Sequence, residues 1–358
     1  MIIEYNNEIY ETSLQHVQIE ITGCCNMKCK HCRASKEAKK NLSLDQIEKV
    51  FKIIKKTRDD DFRLILSGGE PFVNKDIIKI LKLAKEYNIE SIVITTNGSL
   101  VTDSLLKEMN NFKFKFLCLQ ISLDSLDEKT HDKFRGYPGA FKKCLELIAK
   151  IKEYDNIYSS IRMTITPKTL PEVNKMIDFA LEQEVKIIGI GSVIPFGKAA
   201  DGKMSLSPKE KKQFLEILAK RHIELDGKID VTSEDPLKFQ VECSPWNYCD
   251  DESELNECFF GGCTAGITTF NVSSNGMITP CAMLDEEILN LNDYDDIDEI
   301  IETYSKSEVI NNLFSRKFSG PCGKCKYNRI CGGCRAFAKA ATNDYMGSDT
   351  SCWINENN

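Results

Sequence analysis

The sequence predicts an α/β protein, a partial (β/α)6 TIM barrel followed by a small cysteine-rich C-terminal domain. Three observations predict it. From residue 16 to about 225, apolar strand-like runs alternate with amphipathic helix-like segments, the pattern of a parallel α/β unit. Each unusual loop follows the C-terminal end of one of those runs, where parallel α/β folds place their chemistry. After about residue 230 the helical period fades and turns, Gly and Cys accumulate. A boundary near Ile229 divides the chain into units 1–229 and 230–358.

The strands expected are Val17 to Ile21, Phe62 to Leu66, Ser91 to Thr95, Phe116 to Ser122, Ser159 to Thr164 and Lys186 to Ile190. Between the first two, Ser43 and Gln46 form a capping box, and Ile47, Val50, Phe51 and Ile54 follow at helical spacing. The next crossover repeats that spacing with Ile77, Ile80, Leu81 and Ala84. Six beats fall short of the eight that close a full barrel, which leaves an open partial barrel or a doubly wound sheet. Motifs at successive strand ends favour the barrel. The acidic stretch Asp293 to Glu299 reads as a solvated helix start.

Composition narrows the function. No apolar run approaches the roughly 20 residues of a spanning helix, and MIIEYNNEIYETSLQ has no secretory h-region, so a cytoplasmic location is expected. The net charge of −7, with lysines scattered among acids, gives little support for nucleic-acid binding. Sixteen cysteines in such a chain are not read as a disulfide framework; metal or cluster ligation accounts for them better. Cys118 and Cys144, inside apolar runs, read as buried structural thiols.

Directly after the first strand stands Thr22-Gly23-Cys24-Cys25-Asn26-Met27-Lys28-Cys29-Lys30-His31-Cys32, which contains CxxxCxxC at Cys25, Cys29 and Cys32. Three thiolates on a tight loop can hold three irons of a cubane cluster and leave the fourth open to a small molecule. A structural zinc site needs four ligands, and His31 is the nearby candidate for the fourth; shaping the loop is the simpler role for it. Cys24 offers a second register with poorer spacing. Ser67-Gly68-Gly69-Glu70-Pro71 follows strand two, Thr95-Thr96-Asn97-Gly98 strand three, Ser122-Leu123-Asp124 ends strand four, His131-Asp132-Lys133-Phe134-Arg135 comes next, and Ile194-Pro195-Phe196-Gly197 follows strand six.

Together these motifs resemble the radical S-adenosylmethionine (SAM) superfamily. The resemblance implies a 4Fe-4S cluster on the three cysteines and SAM as cofactor. Gly68, Gly69 and Glu70 would meet its amino group, and Glu70 offers an acceptor to an ammonium. Asn97 lies in the motif after strand three, Ser122 and Asp124 match the ribose position, Arg135 the arginine that pairs with the carboxylate, and Pro195 the segment against adenine. It also implies a flavodoxin or ferredoxin-type electron donor.

Eight further cysteines follow: Cys258, Cys263, Cys281, Cys322, Cys325, Cys331, Cys334 and Cys352, with Gly276 making a Cx12Gx4C tract before Cx2Cx5Cx2C and Cx17C. This resembles the SPASM domain, which carries two auxiliary clusters, three 4Fe-4S clusters in all. By that resemblance Cys258, Cys263, Cys281 and Cys334 hold one, and Cys322, Cys325, Cys331 and Cys352 the other. Two departures stand out: Cx2C at Cys331 to Cys334 where Cx3C is usual, and Cys243 and Cys249 just upstream of Cys258. Three protein ligands on the first auxiliary cluster stay open, and so does zinc in paired CxxC knuckles.

Enzymes of this type mostly modify ribosomally made peptides, and that substrate class ranks first. About 15 residues precede strand one, too few for a leader-binding domain, so a short leader or a separate leader-binding protein is expected. Tetrapyrrole side-chain chemistry ranks second, because Cys331-Gly332-Gly333-Cys334-Arg335-Ala336 and Gly262-Cys263-Thr264-Ala265-Gly266 resemble enzymes of heme and heme d1 synthesis. Ala282 stands where sulfatase-maturing enzymes carry Asp. Non-catalytic electron transfer is the reading from another class. Tyr137, Trp246 and Tyr248 are candidate substrate contacts, with packing the simpler role.

Overall fold

The computed structural model describes residues 1–6, 8–33, 39–241, 245 and 261–354. An antiparallel hairpin, β1 (Ile2–Tyr5) and β2 (Glu8–Glu11), precedes the main sheet. Six strands then pair in parallel and in chain order: β3 (Leu14–Thr22), β4 (Arg58–Gly68), β5 (Ser91–Thr96), β6 (Phe116–Ser122), β7 (Tyr158–Ile165) and β8 (Ile187–Ser192). These are the six strands expected. The sheet continues at both ends, with β9 (Asp230–Thr232) parallel to β8 and β10 (Thr269–Val272) parallel to β3. Antiparallel β11 (Met277–Thr279) and β12 (Leu289–Asn290) complete ten strands in the order β12-β11-β10-β3-β4-β5-β6-β7-β8-β9. Among the described residues β9 and β10 do not pair, so the barrel is open.

The strands take this form because their side chains alternate. Val17, Ile19 and Ile21 of β3, Leu64 and Leu66 of β4, and Leu117, Leu119 and Ile121 of β6 are fully buried under the helices. The alternate positions, among them Gln18, Thr95, Gln120, Arg162 and Thr164, are half-buried and line the concave face. The covering helices are α1 (Leu44–Thr57), α2 (Ile77–Glu86), α3 (Asp103–Asn111), α4 (Glu128–Arg135), α5 (Ala140–Ile151), α6 (Val173–Glu182) and α7 (Pro208–Glu224). At the start of α1 the capping box closes, with Gln46 N donating to Ser43 Oγ at 3.1 Å and Ser43 N to Gln46 Oε1 at 2.9 Å.

The C-terminal third holds more helix than its fading period announces: α8 (Ile297–Lys306), α9 (Glu308–Ser315), α10 (Gly320–Lys324) and α11 (Arg335–Thr342). Each spans three turns or fewer, too little for a period to stand out. Asp296 caps α8 by accepting from Asp298 N at 2.7 Å and Glu299 N at 3.1 Å, so the acidic stretch is a helix start as expected. Tyr5 and Tyr10 of the hairpin pack on Phe314 of α9. On the other side Lys211 of α7, with no exposure, reaches Asp235 at 3.0 Å, Ser351 Oγ at 2.7 Å and the Phe337 ring at 3.8 Å. No helix among the described residues is long and apolar enough to cross a membrane.

Candidate cluster and cofactor site

The loop carrying Cys25, Cys29 and Cys32 leaves the C-terminal end of β3 and is tied down by every motif around it. Gly69 N donates to Thr22 O at 2.7 Å and Glu70 N to Cys24 O at 2.8 Å. A Cβ on Gly68 would sit 2.1 Å from Thr22 O, and one on Gly69 2.1 Å from Cys24 O. The glycine pair is therefore required by the loop's own backbone. Asn97 Nδ2 donates to Asn26 Oδ1 at 2.9 Å, and Asn26 Nδ2 to Ser99 Oγ at 2.8 Å. Lys30 N donates to Phe134 O at 2.9 Å and Lys198 N to Cys32 O at 3.1 Å. Beside half-buried Pro195, a Cβ on Gly197 would lie 2.6 Å from Cys32 O, so the strand-six segment closes over the loop.

The Cys25 thiol lies beside Glu70, Cys29 and Cys32, the register of the CxxxCxxC reading; burial first, and these neighbours next, push it up to about 11. Met27 N donates to Cys25 Sγ at 3.4 Å, a contact that favours a thiolate. Such a thiol sheds its proton when a metal takes its place, which fits three ligands of a cluster. The His31 ring stacks on Phe134 at 4.4 Å, and burial, with Arg135 beside it, lowers it to about 4, so it is neutral at pH 7. Among the described residues no group of three His, Cys, Asp or Glu could hold a single metal ion.

Glu70 is 1% exposed and pushed up to about 7 by burial, against donors from Thr96 Oγ1 and Asn97 N, each at 2.7 Å, and Phe72 N at 3.3 Å. Asp124 has both oxygens engaged, Oδ2 by Arg135 Nε at 2.6 Å and Oδ1 by Thr164 N at 2.9 Å. Burial opposes ionisation of Asp124 most strongly, but the Arg135 guanidinium, His31, His131 and the hydrogen bond from Arg135 together outweigh it and hold the carboxyl below its usual range. In this arrangement Asp124 orients Arg135, whose Nη1 faces Cys29 Sγ at 3.9 Å. Asp124 N donates to His131 Nδ1 at 3.2 Å, and Ser122 ends β6 with its carbonyl accepting from Cys144 Sγ at 3.4 Å. Burial pushes Cys144 up to about 12 and Cys118 to about 11, as expected of structural thiols. Glu20, fully buried on β3, pairs with Arg33. The sequence reading passed over it, although an acid inside the run Val17 to Ile21 was a signal.

The C-terminal cysteines fall into neighbourhoods. Cys263 lies beside Cys281 and Cys334, Cys322 beside Cys325, and Cys331 beside Cys352. Gln240 joins the last two, its Nε2 donating to Cys331 Sγ at 2.9 Å and its Oε1 accepting from Cys352 Sγ at 3.6 Å. Cys243, Trp246, Tyr248, Cys249 and Cys258 lie outside the described residues. Two guanidiniums lie among these cysteines. Arg316 donates to the carbonyls of Gly261, Cys263, Asn328 and Arg329, and Arg335 faces Cys322. Neither had a sequence signal beyond its position among cysteines.

An open parallel α/β barrel with three cysteines after its first strand, a buried glutamate after its second and a buried Asp–Arg pair beyond its fourth is the arrangement that the resemblance to radical SAM enzymes implies. Residues 19–180 match the model of the Radical SAM superfamily. It is 27% identical over 354 residues to the AdoMet-dependent heme synthase of Methanosarcina barkeri, covering 93% of this chain and 94% of that one. With the antilisterial bacteriocin subtilosin biosynthesis protein AlbA of Bacillus subtilis it shares 26% over 328 residues, 89% of this chain and 66% of that one. Streptococcus suis SuiB has the same fold, with a TM-score of 0.76 at 20% identity over 95% of this chain and 77% of that one.

Proposed function

We propose that this enzyme cleaves SAM reductively and uses the resulting radical on a ribosomally synthesised peptide. The observation that carries the reaction class is the convergence of Cys25, Cys29 and Cys32 with Glu70 and Arg135 in one space. When bound, a 4Fe-4S cluster and SAM would supply one electron and a 5′-deoxyadenosyl radical that abstracts a substrate hydrogen. The chain's own residues do the positioning. Cys25, Cys29 and Cys32 hold the cluster; ionised Glu70 takes the ammonium of SAM, and Arg135, aligned by Asp124, takes its carboxylate. Asn97 holds both Glu70 and the cysteine loop, Ser122 and Asp124 would border the ribose, and the segment at Pro195 would lie against the adenine.

In the C-terminal unit, 230–358, Cys263 beside Cys281 and Cys334 supports one auxiliary cluster, which the resemblance completes with Cys258, and the pairs Cys322–Cys325 and Cys331–Cys352 support a second that the resemblance assembles from all four. The enzyme would work in the cytoplasm with a flavodoxin or ferredoxin-type donor and a leader-binding partner. A peptide suits the concave face, where Gln18, Thr95, Gln120 and Thr164 offer amide and hydroxyl groups to a peptide backbone. Similarity along nearly the full length of a heme synthase favours a second substrate, a tetrapyrrole side chain. Incubating reduced, reconstituted enzyme and SAM with short peptides encoded beside it, or with an iron porphyrin bearing propionates, separates the two. A mass change in a peptide supports the first; loss of carbon dioxide from the porphyrin overturns it in favour of the second.

A further inference from the structure

Arg335 follows Cys334 and is 1% exposed. Its guanidinium is fixed on three sides. Nε donates to Gly333 O at 3.4 Å, and Nη1 to Tyr345 O at 3.0 Å and Gly347 O at 2.6 Å. The Phe318 ring lies under the guanidinium carbon at 3.9 Å. These contacts leave Nη2 facing Cys322 Sγ at 3.8 Å, and Asp349 N donates to the same sulfur at 3.4 Å. Gly333 keeps the gap clear: a Cβ there would stand 2.8 Å from Nη2 and 3.2 Å from Cys322 Sγ, and its φ of +62° also suits glycine.

Burying a guanidinium is costly unless opposite charge is close. Fully buried Asp349 stands across the same gap, and a cubane held by four thiolates would add negative charge at Cys322 that grows by one on one-electron reduction. A fixed cation at a ligating sulfur therefore stabilises the reduced form more than the oxidised one. We propose that Arg335 raises the reduction potential of the cluster held by Cys322, Cys325, Cys331 and Cys352, making it the electron-accepting member of the C-terminal pair. Arg335 acts through Cys322, so it is a positioning residue. This inference rests on the cluster assignment proposed above.

The test is a mediated redox titration followed by electron paramagnetic resonance on the reconstituted full-length chain, beside Arg335→Gln and Arg335→Lys. The wild type should hold about twelve irons, three cubanes' worth. Arg335→Gln should keep them and lower one midpoint potential of three, with Arg335→Lys shifting the same signal by less. Loss of iron from Arg335→Gln alone would support charge compensation in its stronger form. Unchanged potentials at equal iron content, an equal shift in both variants, or equal iron loss in both would overturn the role of the charge. A wild type that takes up only about four irons overturns the cluster assignment and this inference with it.

Discussion

Burial pushes Glu70 up to about 7, so at neutral pH it stands half-ionised. Only the carboxylate accepts the ammonium of SAM. SAM affinity should therefore rise as pH climbs through 7 and fall about tenfold per unit below it. Isothermal titration at pH 6 and 8 checks this; Glu70→Gln should bind weakly and equally at both. For stability the sign reverses. The raised folded value makes Glu70's contribution complete below its ordinary value of 4.5 and lost as pH rises through about 7. His31 and Cys25 separate in the same way: Cys25→Ala should lose about four irons, whereas His31→Phe should keep them. Iron loss in His31→Phe would make His31 a ligand after all.

At the scale of elements, the loop after β3 is held by the strand ends around it, and the glycines matter because of those contacts. Gly69→Ala would drive a Cβ into Cys24 O, so it should fold with its far-ultraviolet spectrum intact yet lose cluster iron and at least tenfold of its SAM cleavage. Undiminished cleavage would show that the loop moves freely. Much of this was legible in the sequence, because β3 to β8 are long enough for apolar alternation and each motif sits at a strand's end. β9 and β10 were not legible: three and four residues carry no period. The role of Asp124 was half legible. Its position showed, but its engagement by Arg135 depends on how α4 folds back over β6. Likewise the grouping of Cys263 with Cys334 joins residues far apart in the chain, which spacing alone does not reveal.

Across the whole molecule, Lys211 fastens the barrel helix α7 to the C-terminal tail through Asp235 and Ser351. Lys211→Met leaves Asp235 buried and unpaired, and denaturant unfolding should show a loss of about 3–5 kcal/mol, recovered in part by Asp235→Asn in the same chain. A loss under about 1 kcal/mol would mean that the contact is not a fastening. On the function proposed above, one chain would carry separable clusters of which only the one on Cys25, Cys29 and Cys32 cleaves SAM. The measurement that tests it most directly is iron content and dithionite-driven 5′-deoxyadenosine release, in the wild type and in a variant with Cys25, Cys29 and Cys32 all changed to Ala. About twelve irons against about eight are expected, with release from the wild type alone. Zinc in the C-terminal cysteines, or no SAM cleavage by a fully loaded wild type, would contradict it.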